Sequence, residues 1–330
     1  MGDKNGFGKL ISRQAINKRM LEIILILLIL IMSVTTYGFF TLGNLFNILR
    51  NMSFQGCIAF GMTLVIISGE IDLSIGSTVA LAGVITALTS GSLAKAGILP
   101  METAVVAGIL LSIIVCALFG AFNGWLLTRF KMPSFIITLA MMNVLYGIAA
   151  IISRGFPVVT LPKWYNVIGA GRIGGIIPIP ALILILVFLV NFVILNYTRF
   201  GRSVYAVGGN ADAARLSGIN VAKVKMFVMI NVQICAAIAG VMVSSQVMSG
   251  SSTFGKGWEM TAISSVIIGG ASLNGGIGRV SRTFVGLIFL GVIINGMTLL
   301  NVNEYAQYVV RGLLILTAVL INTVQTQRKG

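Results

Sequence analysis

Ten long apolar blocks separated by short polar punctuation decide what this chain can fold into before any single residue is weighed. They fall at residues 21–40, 48–68, 73–90, 102–128, 134–153, 181–197, 225–246, 259–271, 283–302 and 306–325. The hydrocarbon core of a bilayer asks for about 20 consecutive apolar residues per helix, and most blocks have that length. With 57% hydrophobic and 9% charged residues and a mean hydropathy of +1.01, a chain of 330 residues is too apolar for a water-soluble domain. The expected fold class is all-α: a single polytopic membrane domain over 1–330, with about ten transmembrane helices, one or two of them short or broken.

The eighth block is the exception in length. It is too short to cross a bilayer alone, and it runs into Gly269-Gly270-Ala271-Ser272-Leu273-Asn274-Gly275-Gly276, the kind of glycine-rich stretch that broken or re-entrant transporter helices carry. Orientation follows from the basic residues. If the N-terminus is cytoplasmic and the blocks alternate, the inside holds five tail residues (Lys4, Lys9, Arg13, Lys18, Arg19). It also holds eleven others: Arg129, Lys131, Arg199, Arg202, Arg215, Lys223, Lys225, Arg279, Arg282, Arg328 and Lys329. Together these are sixteen of the 23 Lys and Arg residues, so the positive-inside rule puts both termini in the cytoplasm. This division gives a basic tail at 1–20, an external loop at 154–180 and a cytoplasmic loop at 198–224. The first block is expected to be a retained span, since no small-residue cleavage site follows it. The external loop is expected to be partly ordered, with Trp164 and Tyr165 as interfacial aromatics or as a contact for an external partner.

The net charge of +15 does not point to nucleic acid, because the basic residues sit between apolar blocks rather than on one amphipathic face. Histidine is absent, and Cys57, Cys116 and Cys235 lie in three different blocks, so no metal site is expected. Gly8-Lys9-Leu10 and Gly255-Lys256-Gly257 lack the phosphate-loop pattern, and the chain is not expected to bind ATP or another cofactor itself. Of the eight acids, five fall at block ends or in loops, which leaves Glu70, Asp72 and Glu259. Glu70, Asp72 and Ser74 mark the join between the second and third blocks. Asp72 is placed to cap the following helix, with gating or a proton relay as the functional alternative. Trp258 and Glu259 open the eighth block on the outer side, as a cap or as the lining of an outer mouth.

The stretch Arg199 to Lys225 is too long for a turn. Asn210 is placed to cap a short helix from Ala211 to Ser217 that ends at Gly218, giving a small surface helix able to dock in a partner's groove.

Five ordered motifs carry a resemblance that runs nearly end to end. They are Asn44-Leu45-Phe46-Asn47-Ile48-Leu49, Gly61-Met62-Thr63-Leu64-Val65-Ile66, Ile71-Asp72-Leu73-Ser74-Ile75-Gly76-Ser77, the Gly208-Gly209-Asn210 to Ser217-Gly218-Ile219-Asn220 loop, and Gly269 through Arg279. The chain resembles the ribose-type permeases, the membrane subunits of ABC sugar importers in the branched-chain/ribose permease superfamily. That resemblance implies a bacterial inner-membrane protein that imports a ribose-like monosaccharide by alternating access. It also implies a second permease copy or paralogue, a cytoplasmic ABC ATPase that holds ATP and magnesium, and a periplasmic or lipid-tethered sugar-binding protein. Gly209, Asn210, Ala213, Ala214, Arg215, Leu216, Ser217 and Gly218 would form the helix that couples the permease to the ATPase. Ser272 and Asn274 join Glu70, Asp72, Ser74, Trp258 and Glu259 as pathway or gating candidates. Glu70 stands where the family more often has glycine, and Thr261 where an aspartate is frequent, so the resemblance leaves the sugar open. The rival expectation is a secondary sugar carrier or facilitator that works without an ATPase. A weak echo links Val65–Ser77 with Val266–Gly278, each beginning Val-Ile-Ile before a glycine turn.

Overall fold

The structure is a computed structural model and describes residues 20–327. The basic tail at 1–19, together with Arg328 and Lys329, lies outside the described residues. Thirteen helices follow one another: α1 (Met20–Thr35), α2 (Leu42–Ile67), α3 (Ile75–Lys95), α4 (Met101–Arg129), α5 (Ser134–Ile152), α6 (Asn166–Ala170), α7 (Ile179–Tyr197), α8 (Arg199–Gly209), α9 (Ala211–Leu216), α10 (Val221–Val247), α11 (Trp258–Ile268), α12 (Val280–Leu299) and α13 (Glu304–Gln327). Six of them, α3, α4, α5, α7, α10 and α12, are long and apolar enough to cross a membrane. The remaining apolar blocks are covered by α1, α2, α11 and α13.

Small residues decide which helices lie inside. The most apolar windows of α3 and α10 are 67% buried, against 28% for α4 and α5, and α3 is built largely of Gly, Ala, Ser and Thr. Lipid tails are as apolar as leucine, so helices in a membrane associate through close packing, which small side chains permit. α4 shows both faces. Gly108, Ser112, Cys116, Gly120 and Gly124 recur every fourth residue and are buried where α4 packs against α3 and α10. Leu110, Ile114, Leu118, Phe122 and Trp125 form the opposite, exposed stripe suited to lipid.

The short eighth block has a structural explanation. α10 ends at Met248 in a left-handed conformation, and the chain then runs back along α3 without helix, with Gly250 against Gly83 and Val84 and Gly255 against Gly76 and Val79. Ser249, Ser251 and Ser252 on this run are buried. Irregular backbone of this kind is tolerated at membrane depth only when protein covers it, and α3 supplies the cover. α11 then begins partway down, which is why 11 residues suffice.

The segment 154–180 holds a 3-10 turn (Lys163–Tyr165), α6, and a two-stranded hairpin of β1 (Arg172–Ile173) and β2 (Ile177–Pro178). The hairpin is a departure from the expected all-helical fold. Tyr165 departs from the interfacial role expected of it: the side chain is fully buried and its hydroxyl donates to the Val241 carbonyl at 3.0 Å, with Ser244 Oγ at 2.8 Å. Asn166 Nδ2 donates to the Ser245 carbonyl at 3.1 Å, so this loop is tied to the end of α10. Trp164 stays partly exposed, as an interfacial aromatic would.

Candidate functional site

The α2–α3 join and the α11–α12 join are built alike. At the end of α2, Gly69 N–H donates to Ile66 O and Glu70 N–H to Val65 O, with Gly69 at φ +83°. At the end of α11, Gly270 N–H donates to Ile267 O and Ala271 N–H to Val266 O, with Gly270 at φ +89°. Both are left-handed glycine caps that satisfy the last carbonyls of a helix, and they occupy matching positions of the Val-Ile-Ile echo. The two joins touch: Gly276 N–H donates to the Ile67 carbonyl at 2.8 Å.

Inside the first join Asp72 is fully buried. Its Oδ1 accepts from the Ser74 N–H at 2.8 Å and the Ser74 hydroxyl at 2.6 Å, and its Oδ2 accepts from Gln233 Nε2 at 2.8 Å. Gln233 also donates to Ser74 Oγ at 2.8 Å and accepts from the Thr78 hydroxyl, while Asn123 Nδ2 lies 3.4 Å from Ser74 Oγ. The expected cap is therefore displaced. Ser74 itself precedes the first residue of α3, and Asp72 closes a turn onto Ser74 while its second oxygen is held by α10. Every group that meets the carboxylate is a donor, as a buried acceptor requires. The network pins the start of α3 to α4 and α10 at the turn that follows α2.

Glu70, two residues earlier, forms an ion pair with Lys225 in the first turns of α10. Both lie on the wall of an open cavity of about 680 Å³, which is also lined by Lys131, Asp212, Arg215 and Asn220. This cavity separates the α4–α5 turn from α9. The exposed Asp212–Arg215 pair at 3.1 Å adds little stability.

α9 follows the expected chemistry closely. Asn210 Oδ1 accepts from Asp212 N–H at 3.0 Å and Ala213 N–H at 2.9 Å. Gly218, at φ +82°, and Ile219 close the other end through Arg215 O and Ala214 O. Ser217 Oγ donates to Ala213 O at 3.0 Å. Ala214 is buried against the chain itself, whereas Ala213 and Arg215 are exposed and Leu216 is 90% exposed. Ahead of α9 lies α8, an 11-residue helix with Gly201, Val204 and Val207 on its buried face. Its end meets both glycine joins. A Cβ on Gly208 would overlap the Ile67 carbonyl oxygen, and one on Gly275 would lie 2.6 Å from the Gly208 carbonyl and 3.0 Å from Gly69. Gly209 has open space around it. Tyr205 Oη donates to Gly278 O at 2.8 Å. Burial pushes the Tyr205 phenol above its ordinary range, opposed by the Arg279 charge.

Trp258 and Glu259 lie at a different place from the rim. Trp258 packs against Phe54 of α2 with ring centroids 6.2 Å apart, and Glu259 sits against Gly76 at the start of α3. The unwound run before α11 carries both residues inward. Ser272 and Asn274 form the turn of the glycine loop, with Asn274 N–H donating to Ser272 Oγ at 3.2 Å. Glu70, Asp72, Ser74 and the glycine loop therefore share one end of the bundle with α8 and α9. Gln233, Asn123 and Lys225 complete this region and were missed by placing only the acids. The available signal was a lone amide within an apolar block, since such groups seek partners across helices.

A bundle of apolar helices with two glycine-capped turns at one end and a short exposed helix beside them suits a transport permease. The chain belongs to the family described as the branched-chain amino acid transport system / permease component, which matches residues 44–319. It is 39% identical over 307 residues to the ribose import permease protein of Escherichia coli (strain K12), covering 91% of this chain and 92% of that one. The ribose import permease protein of Bacillus subtilis (strain 168) is 40% identical over 300 residues, 90% of each chain. The L-arabinose transport system permease protein of Escherichia coli (strain K12) is 34% identical over 292 residues, 88% of this chain and 86% of that one. No solved structure matches the chain.

Proposed function

We infer that this chain is the membrane-spanning subunit of an ATP-driven importer of a ribose-like monosaccharide. The observation that carries the reading is α9: a capped helix with Leu216 exposed, joined through the α8 glycines to the ends of α2 and α11. A push on α9 is delivered through α8 to the α2–α3 and α11–α12 turns. The near end-to-end similarity to ribose and arabinose permeases supplies the substrate class.

In this reading the chain crosses the inner membrane about ten times with both termini in the cytoplasm, as the distribution of basic residues favours. Two permeases, identical or paralogous, enclose the pathway. A cytoplasmic ATPase subunit holds ATP and magnesium, and this chain holds no nucleotide. A sugar-binding protein, periplasmic or tethered to lipid, delivers the sugar to the outer face. Closure of the ATPase moves α9, and α8 carries the motion to the α2–α3 and α11–α12 joins. The buried Asp72 network and the Glu70–Lys225 pair are the contacts whose making and breaking bias one state over the other.

Proteoliposomes with the ATPase facing inward and binding protein outside provide the test. Labelled sugar is expected to accumulate when ATP is trapped inside and not when a non-hydrolysable analogue replaces it. Uptake that proceeds equally without ATP would instead establish the facilitator.

A further inference from the structure

A second cavity, of about 130 Å³, lies between α2, α11, α12 and α13. Asn51 and Gln55 border it one helical turn apart on α2, Asn295 and Thr298 face it from α12, Thr261 comes from α11 and Arg311 from α13. Asn51 is about 24 Å along the helix axis from Ile67, so the cavity is at the opposite end of α2 from the glycine joint.

The polar groups here are unspent. Thr261 is 5% exposed, and among the described residues its hydroxyl has no hydrogen-bond partner. The side-chain amides of Asn51, which is exposed, and Gln55, which is half-buried, also have no partner among the described residues. Arg311 lies over the Tyr308 ring, 5.3 Å from its centroid, and its Nε is buried without a partner. By contrast Asn295 is engaged by Asn44 through two reciprocal 2.9 Å bonds, and the Thr298 hydroxyl donates to Ile294 O at 2.9 Å. Buried polar groups in folded proteins are ordinarily paired, and here the buried Arg311 Nε and the 5% exposed Thr261 stand beside two accessible amides that are free to meet a ligand.

The donor set selects the ligand. Two amides and a hydroxyl each donate and accept, as sugar hydroxyls do, and the guanidinium fork spans two neighbouring oxygens. No acidic side chain is among the lining residues, so an amine would find no counter-charge, while Met52 and Leu290 offer an apolar wall to the C–H face of a ring. At about 130 Å³ the cavity lies below the usual range of ligand pockets, about 300–1,000 Å³, which limits it to a small ring and excludes a disaccharide.

We propose that this cavity is a sugar site belonging to the permease itself, in which Gln55, Thr261 and Arg311 determine which monosaccharide passes after release from the binding protein. The proposal rests on the importer reading above. The test uses the complete complex in proteoliposomes, with labelled D-ribose and L-arabinose and with sucrose as the oversized control.

Thr261→Val and Gln55→Leu are expected to lower ATP-driven uptake about tenfold, because a polar site left unpaired discriminates strongly. Arg311→Gln should change the ribose-to-arabinose uptake ratio, and in all three the ATPase stimulation by loaded binding protein should persist. Should a variant fail to insert, Thr261→Ala, Gln55→Met and Arg311→Lys take its place. Wild-type uptake of neither sugar would overturn the importer reading and this site with it. Wild-type uptake with every variant near the wild-type rate and ratio would overturn the sugar site alone. A parallel fall in uptake and stimulated ATPase across the conservative set would overturn it too, because that pattern marks general damage to the bundle.

Discussion

Gly208→Ala is expected to lower the yield and thermal-unfolding midpoint of the purified permease sharply, while Gly209→Ala should leave both near wild type. The two glycines are neighbours at the end of α8, yet only Gly208 is pressed against the Ile67 carbonyl and the Gly276 amide. Those neighbours are backbone atoms, which cannot rotate out of the way as a side chain can. A methyl group at 208 must therefore push α8 off the end of α2 and loosen the 2.8 Å bond from Gly276 N–H to Ile67 O. Overpacking costs typically about 1–3 kcal/mol, and the weakened bond adds about 1 kcal/mol. At Gly209 nothing lies within 4 Å of the added carbon, so the substitution meets open space. Equal tolerance at both positions would mean that α8 is not locked to the joins.

The second large effect is expected at Asp72. Replacement by Leu strands Gln233 Nε2 and the Ser74 N–H in a site with no access to water. An unsatisfied buried donor costs about 1–3 kcal/mol. Because Gln233 keeps its bond to Ser74 Oγ, the total should be roughly 2–4 kcal/mol. Asp72→Asn should fall between wild type and Leu, since an amide offers one acceptor oxygen where the network uses two. Gln233 would then have to turn around and lose Thr78. Thermal unfolding in detergent, with the order wild type, Asn, Leu, checks this. An Asn variant as unstable as Leu would show that charge, and not acceptor count, holds the site.

What the sequence made legible follows the reach of each signal. The apolar blocks reflect a solvent requirement, so every block has a helix over it. The α9 cap is local chemistry confined to Asn210 and the next three residues, and it needed no tertiary information. α8 went unread because glycines at 201, 208 and 209 argue against a helix on propensity. The structure instead uses Gly201 and Gly208 for close approach of backbone to backbone. Gln233 and Asp72 are 161 residues apart in sequence, and no single-chain pattern joins them. Counting alternations gave Glu259 no depth, and the unhelical run at 249–257 supplies it by carrying the chain along α3 before α11 begins. Charge distribution assigns each loop its side of the membrane, and the exposed face of α9 carries the proposal that it is the coupling element.

The most direct test of that proposal is the ATPase rate of the reconstituted complex with and without sugar-loaded binding protein, comparing wild type with an Ala213→Glu, Leu216→Glu double variant. Both side chains are exposed and neither takes part in the Asn210 cap, so the variant should fold and insert normally. The account predicts strong stimulation in the wild type and none in the double variant. Full stimulation in the double variant would contradict α9 as the point where the ATPase drives the permease.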